Sequence, residues 1–183
     1  DSGYDGFFED KYTERFVNYM NEDGYADAVS SGCASIYIAL KSLQLPDKSL
    51  VATSPVTDAS VIGCITEQGH IPYLIDSDPN SYNISLKSLQ ERFNEDINAL
   101  VVTHAGGEPC EMPGIMEFCD QSGIEVIEDC SQAVGAVPES GEKRVGSYGR
   151  FGCFSTMYRK NLSVSGSSGL LYSSTEEDYN LAR

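Results

Sequence analysis

Seven short runs rich in apolar and β-branched residues recur along the chain, and helical patterns separate most of them. The runs are ADAVSS (26–31), SLVATSPV (49–56), IPYLID (71–76), NALVVTH (98–104), IEVIEDC (124–130), FGCFSTM (151–157) and GLLYS (169–173). Between them, Cys33, Ile36, Leu40 and Leu43 fall on one face of a helix. Val61, Cys64, Ile65 and Gln68 repeat that spacing, with Gly69 as a stop signal. Ile84, Leu86, Leu89 and Phe93 mark a helix over 85–93, and GIMEFCDQSG (114–123) a further one. Strands without in/out alternation are buried on both faces. Strands that alternate with helices predict βαβ units, a mainly parallel sheet and right-handed crossovers. No internal repeat is present, and SVSGSSG (163–169) is the one low-complexity segment.

Composition narrows the function classes. The 183 residues suit one domain, and 40% hydrophobic content supplies a core, which excludes a disordered acidic tail. Twenty-eight acidic residues against 12 basic ones give a net charge of −16. That charge disfavours nucleic acid, because counterion release needs a basic face, and it disfavours anionic membranes. No apolar run approaches the roughly 20 residues that span a bilayer. The opening DSGYDGFFEDKYTERF has no basic n-region followed by an apolar stretch, so it is not a secretory signal. The first residue is not Met, and the chain is read as starting within a longer protein. Cys33, Cys64, Cys110, Cys119, Cys130 and Cys153 form no CxxC pair. Buried free thiols in a reducing cytoplasm are expected, rather than disulfides or zinc.

Ligands of open parallel sheets bind outside the carboxyl ends of the strands. That rule selects Ser31-Gly32-Cys33-Ala34, Thr57-Asp58, His104 through Gly107, Asp129 through Gln132, and Ser155 through Lys160. At Ser31–Ala34 a strand turns into a helix, whose first-turn amides form an anion site. A plain helix cap by Ser30 or Ser31 is the alternative. Glu128-Asp129 ends a strand that reads as buried, where a carboxylate needs a partner. Gln132 and His104 are the sequence candidates, and Asp129 could instead cap a helix. Lys160 is a surface lysine by default, but its place after a buried strand makes it a candidate Schiff-base former. His70 belongs to a structural turn, and His104 is expected to face the site. A phosphate site, a buried Asp and a lysine together suit pyridoxal phosphate. There is no nucleophile elbow, Walker loop or dinucleotide fingerprint.

In order along the chain, VSSGCASIYIAL, the stretch from LVATSPVTDAS to DSDPNSYNI, LVVTHAGGEPCEMPGI, VIEDCSQAVGA and GCFSTMYRKNLSVSGSSGLLYS resemble five motifs of one family. This is the DegT/DnrJ/EryC1/StrS family of pyridoxal-phosphate-dependent sugar aminotransferases, of the aspartate-aminotransferase-like fold. The resemblance implies a three-layer α/β/α domain with a seven-stranded, mainly parallel sheet. It makes residues 1–183 the cofactor-binding large domain of a longer chain, with the small C-terminal domain absent and EEDYNLAR a helix start cut short. Lys160 would be the Schiff-base lysine and proton shuttle. Asp129 would pair with the pyridinium nitrogen, and Gln132 with the ring 3′-oxygen. Ser155 and the amides of Gly32, Cys33 and Ala34 would hold the phosphate, and His104 would lie near the cofactor edge. Asp58 stands where the family carries a ring-stacking aromatic, and it either meets the ring or caps the following helix. Cys33 replaces a common Thr, and Arg150 stands where an acidic residue is common. The implied activity moves an amino group, from glutamate, to a nucleotide-linked keto sugar, in a cytoplasmic homodimer with shared sites. A sugar dehydratase of the same family is the alternative, but it carries His at the lysine position. A non-catalytic pyridoxal-phosphate-binding homologue is a second alternative.

Overall fold

The computed structural model describes residues 7–20, 23–164 and 166–183. Residues 1–6 of the opening segment and residue 165 of the Ser/Gly stretch lie outside the described residues. The elements are α1 (Phe7–Met20), β1 (Tyr25–Val29), α2 (Gly32–Ser42), β2 (Leu50–Thr53), α3 (Ala59–Glu67), β3 (Ile71–Leu74), α4 (Leu86–Glu91), β4 (Ile97–Thr103), α5 (Met112–Ser122), β5 (Glu125–Asp129), β6 (Phe151–Ser155), β7 (Gly169–Ser173) and α6 (Glu176–Ala182). One seven-stranded sheet has the order β1-β7-β6-β5-β4-β2-β3. β7 runs antiparallel to β1 and β6, and the other neighbouring pairs are parallel. The expected mainly parallel α/β sheet is what the chain forms.

β4 shows why its sequence lacks alternation. Ala99 and Val101 face one layer, with Ile36, Leu40, Val61 and Ile65 of α2 and α3. Leu100 and Val102 face the other, with Leu89, Met112, Ile115 and Cys119 of α4 and α5. Both sides of the strand meet helices, so both sides are apolar. Helix starts follow local chemistry. Ser31 caps α2, Asp58 caps α3, and Ser85 with Ser88 forms a reciprocal capping box on α4. Pro113 sits in the first turn of α5, where a missing N–H costs nothing, so that helix starts at Met112 rather than at 114. β2 stops at Thr53 because Pro55 cannot donate to a ladder.

One helix went unread in the sequence. α1 buries Phe16 and Met20, with Tyr12 partly covered, against Phe154, Leu170 and Tyr172. The 12, 16, 20 spacing carried the signal. Phe16 meets Phe154 edge to face, with ring centroids 4.8 Å apart. Among the described residues no helix is long and apolar enough to cross a membrane.

Arg150 has a structural explanation. It enters β6 with Nε 2.7 Å from Asp178 Oδ1 of α6 and Nη1 3.1 Å from Glu125 Oε1 of β5. One guanidinium thus fastens the last helix to the sheet, on a part-buried site where ion pairs keep more of their strength than at the open surface. Replacing Arg150 by Ala is expected to cost about 1–2 kcal/mol of stability. Urea unfolding will show a lower midpoint with an unchanged slope, and an unchanged midpoint would refute the clamp.

Candidate active site

The carboxyl ends of β1, β2, β4, β5 and β6 share one edge of the sheet, and β7 starts there. Their following residues enclose an open cleft of about 220 Å³. Gly32, Cys33, Asp58, Asp129, Gln132, Ser155 and Lys160 line it together. Ser31, Ile36, Ser60, Ser131, Met157 and Ser167 complete the lining. Ser131 was within reach of sequence reasoning, since it lies two residues past Asp129. Ser167 was not: it arrives only because β7 returns antiparallel, and its hydroxyl donates to Ser30 O at 3.0 Å.

The first turn of α2 forms one wall. Ser31 is extended (φ −168°, ψ 167°), and its hydroxyl accepts the Ala34 amide at 3.1 Å. The cap takes one of the first-turn amides. Ala34 serves the cap, while Gly32 and Cys33 are the first-turn amides with no intrahelical acceptor. A Cβ on Gly32 would lie 2.7 Å from Ser155 Cβ and 3.1 Å from Ser131 Oγ. Only glycine lets the helix terminus sit this close to the ends of β5 and β6. Cys33 is exposed beside the cleft, not on the core face that its spacing suggested. The other five thiols are buried, and burial pushes Cys64 up to about 11 and Cys110 and Cys119 up to about 12. These three stay protonated and unreactive at neutral pH.

Asp129 ends β5 and is 5% exposed. Its Oδ1 accepts the Ser131 amide at 3.1 Å, and its carboxylate lines the cleft. Neither expected side-chain partner reaches it. Gln132 instead accepts the Gly106 amide through Oε1 at 2.8 Å, which fixes its amide group at the rim of the cleft. Lys160 is half-buried in the turn after β6, where its own amide donates to Met157 O at 2.9 Å. Asp58 caps α3 through an Oδ1 bond from the Ser60 amide at 2.9 Å and also lines the cleft. The Ser60 hydrogen bonds, aided by the charge of Lys160, hold its carboxyl below the usual carboxylate range.

His104 is the correction. It does not line the cleft. Its ring is fully buried, with Nε2 3.1 Å from Glu128 Oε2 and Nδ1 accepting the Cys110 amide at 3.0 Å. Strand geometry supplies the reason: successive residues point to opposite faces, so Glu128 lies under the sheet while Asp129 points into the cleft. Glu128 collects three further donors, the amides of Gly146 (2.8 Å), Tyr148 (2.8 Å) and Gly149 (2.7 Å). His104, Glu128 and Cys130 bring ligand-type atoms within 4.8 Å of one another. Both Glu128 oxygens, however, already accept hydrogen bonds.

Known proteins share this fold. The chain belongs to the DegT/DnrJ/EryC1/StrS aminotransferase family, whose model matches residues 3–183. It is 37% identical over 151 residues to MosB of Rhizobium meliloti, covering 82% of this chain and 29% of that protein. It is 30% identical over 148 residues to a UDP-N-acetyl-3-dehydro-α-D-glucosamine 3-aminotransferase of Acidithiobacillus ferrooxidans, covering 81% and 40%. The crystal structure of an aminotransferase from Psychrobacter cryohalolentis superposes with a TM-score of 0.92 at 27% identity, covering 99% of this chain and 45% of that one. The chain spans less than half the length of these relatives.

Glu128 is the group on which this site stands. Glu128→Gln puts an NH₂ group where an oxygen now accepts N–H bonds, and is expected to cost about 3–5 kcal/mol. Urea denaturation followed by circular dichroism measures it. A variant as stable as the native chain would show that the buried carboxylate is dispensable.

Proposed function

We propose that residues 1–183 are the cofactor-binding large domain of a pyridoxal-phosphate-dependent aminotransferase, which passes an amino group from glutamate to a nucleotide-linked keto sugar. One observation carries the reading. A buried carboxylate, a lysine, a fixed amide side chain and an amide-lined glycine turn converge on a single cleft at the strand ends. The donor set fits that cofactor. A phosphate needs N–H and O–H donors in a tight concave wall, and Gly32, Cys33, Ser131 and Ser155 supply them where a Cβ at Gly32 would fill the space. A pyridine nitrogen needs a carboxylate to keep it protonated, and Asp129 is held for that role by the Ser131 amide.

When bound, pyridoxal phosphate supplies an aldehyde that amines condense with and a ring that withdraws electrons from the adjacent carbon. The chain's own residues do the rest. Lys160 offers the amine and moves the proton at the substrate carbon. Asp129 holds a proton on the ring nitrogen. Gln132, anchored through Gly106, orients the ring oxygen. Asp58 brings a charge where the relatives bring an aromatic face. The resemblance further supports a homodimer that completes the site. An apolar hollow lined by Tyr12, Phe16, Tyr19, Val134 and Leu162, beside the Lys160 turn, offers a surface for it.

Adding pyridoxal phosphate is expected to give a visible absorption band, and borohydride to fix the label on the peptide containing Lys160. Lys160→Ala should lose both. Label on another peptide in the native protein would overturn the assignment. Gly32→Ala is expected to weaken cofactor binding at least tenfold in an absorbance titration, because the added methyl pushes α2 off Ser155. Unchanged affinity would remove the phosphate from this turn.

A further inference from the structure

Asp58 does more than begin a helix. Its Oδ1 accepts the Ser60 amide, and the residue lines the cleft. Lys160 lines that same cleft from the turn after β6. The other ionisable side chains there are Cys33 on α2 and Asp129 at the end of β5, whose Oδ1 is occupied by the Ser131 amide. On its own turn Lys160 is followed by no acid and preceded by Arg159, which stacks over Tyr158 with its guanidinium carbon 5.2 Å from the ring centre. The charge of Lys160 adds to the Ser60 hydrogen bonds in favouring the ionised Asp58 carboxyl.

We propose that Asp58 is a positioning residue for Lys160: its carboxylate stabilises positive charge on the Lys160 nitrogen, both as the free amine and after that nitrogen condenses with the cofactor aldehyde. The second half rests on the reading given under Proposed function. In the condensation the amine nitrogen adds to the aldehyde carbon and one water leaves, so the nitrogen stays in place with or without its proton. A carboxylate in the same cleft favours the protonated form. An apolar side chain at position 58 would leave that charge unsupported.

Two measurements decide the matter. In the cofactor-free protein, carbon-13 NMR follows the titration of the Asp58 carboxyl. Removing the cation in Lys160→Met should move its midpoint upward by a few tenths of a pH unit or more, because an opposite charge stabilises the ionised acid. An unmoved midpoint overturns the pairing. In the loaded protein, the pH at which the long-wavelength band disappears should fall by roughly one unit in Asp58→Asn. Asn keeps the helix cap and the side-chain size while removing the charge. A band midpoint that stays in place would overturn the extension to the adduct. Should the native protein take up no pyridoxal phosphate at all, the functional reading falls, while the NMR measurement still decides whether the two side chains are coupled.

Discussion

A single buried carboxylate organises the cleft edge of this domain. Glu128 is fully buried, and a bare charge there would be untenable. It is made tenable by three backbone amides from the 146–149 loop and by His104. The bonds join the end of β4, the end of β5 and the chain about to enter β6. Gly146 makes the loop possible. It sits at φ 95°, and a Cβ there would run into the Phe154 ring. The loop can therefore turn its amides inward only with glycine at that position. Since β5 alternates its faces, fixing Glu128 beneath the sheet fixes Asp129 above it. The residue that faces the cleft owes its aim to the neighbour that does not.

The sequence made the α/β alternation legible because both faces of the central strands are covered, as Ala99 to Val102 show. It also placed Lys160, Asp129, Gln132, Ser155 and Gly32 near one edge, since strand ends of a parallel sheet share a side. What it could not give was direction. His104 and Asp129 end neighbouring strands, and nothing in their spacing says that one side chain turns under the sheet and the other over it. The pairing of His104 with Glu128 depends on β4 and β5 lying side by side in register, with Thr103 opposite Asp129. Cys33 shares a helical period with Ile36 and Leu40, but it is exposed and lines the cleft, as its place in the Ser31–Ala34 turn implies. α1 is faint in the sequence because only Phe16 and Met20 of its face are buried hydrophobics.

Arg150 and Asp58, where the resemblance implies other residues, are accommodated in two ways. Arg150 acquires acidic partners on both sides, Glu125 and Asp178, so the change of sign is met locally and the fold is kept. Asp58 is absorbed differently. Its helix-capping bond to Ser60 satisfies the backbone, which any good cap would do, yet its charge remains in the cleft. The first substitution bears on stability, and the second bears on the electrostatics of the site.

The same distinction resolves the apparent conflict between a net charge of −16 and the phosphorylated ligand proposed above. Net charge sets the field far from the surface, and salt screens it within about 10 Å. Within the cleft the deciding groups are fixed dipoles at contact distance. The free amides of Gly32 and Cys33, with the hydroxyls of Ser131 and Ser155, occupy the end of the cleft at α2. Asp58, Asp129 and Lys160 line the same cleft. An anionic group can then be bound by neutral donors without a basic patch, and the acids are free to act on positive charge at nitrogen. The acidity of the chain is thus compatible with the proposed site, because the proposed anion donors are neutral groups that need no net positive charge.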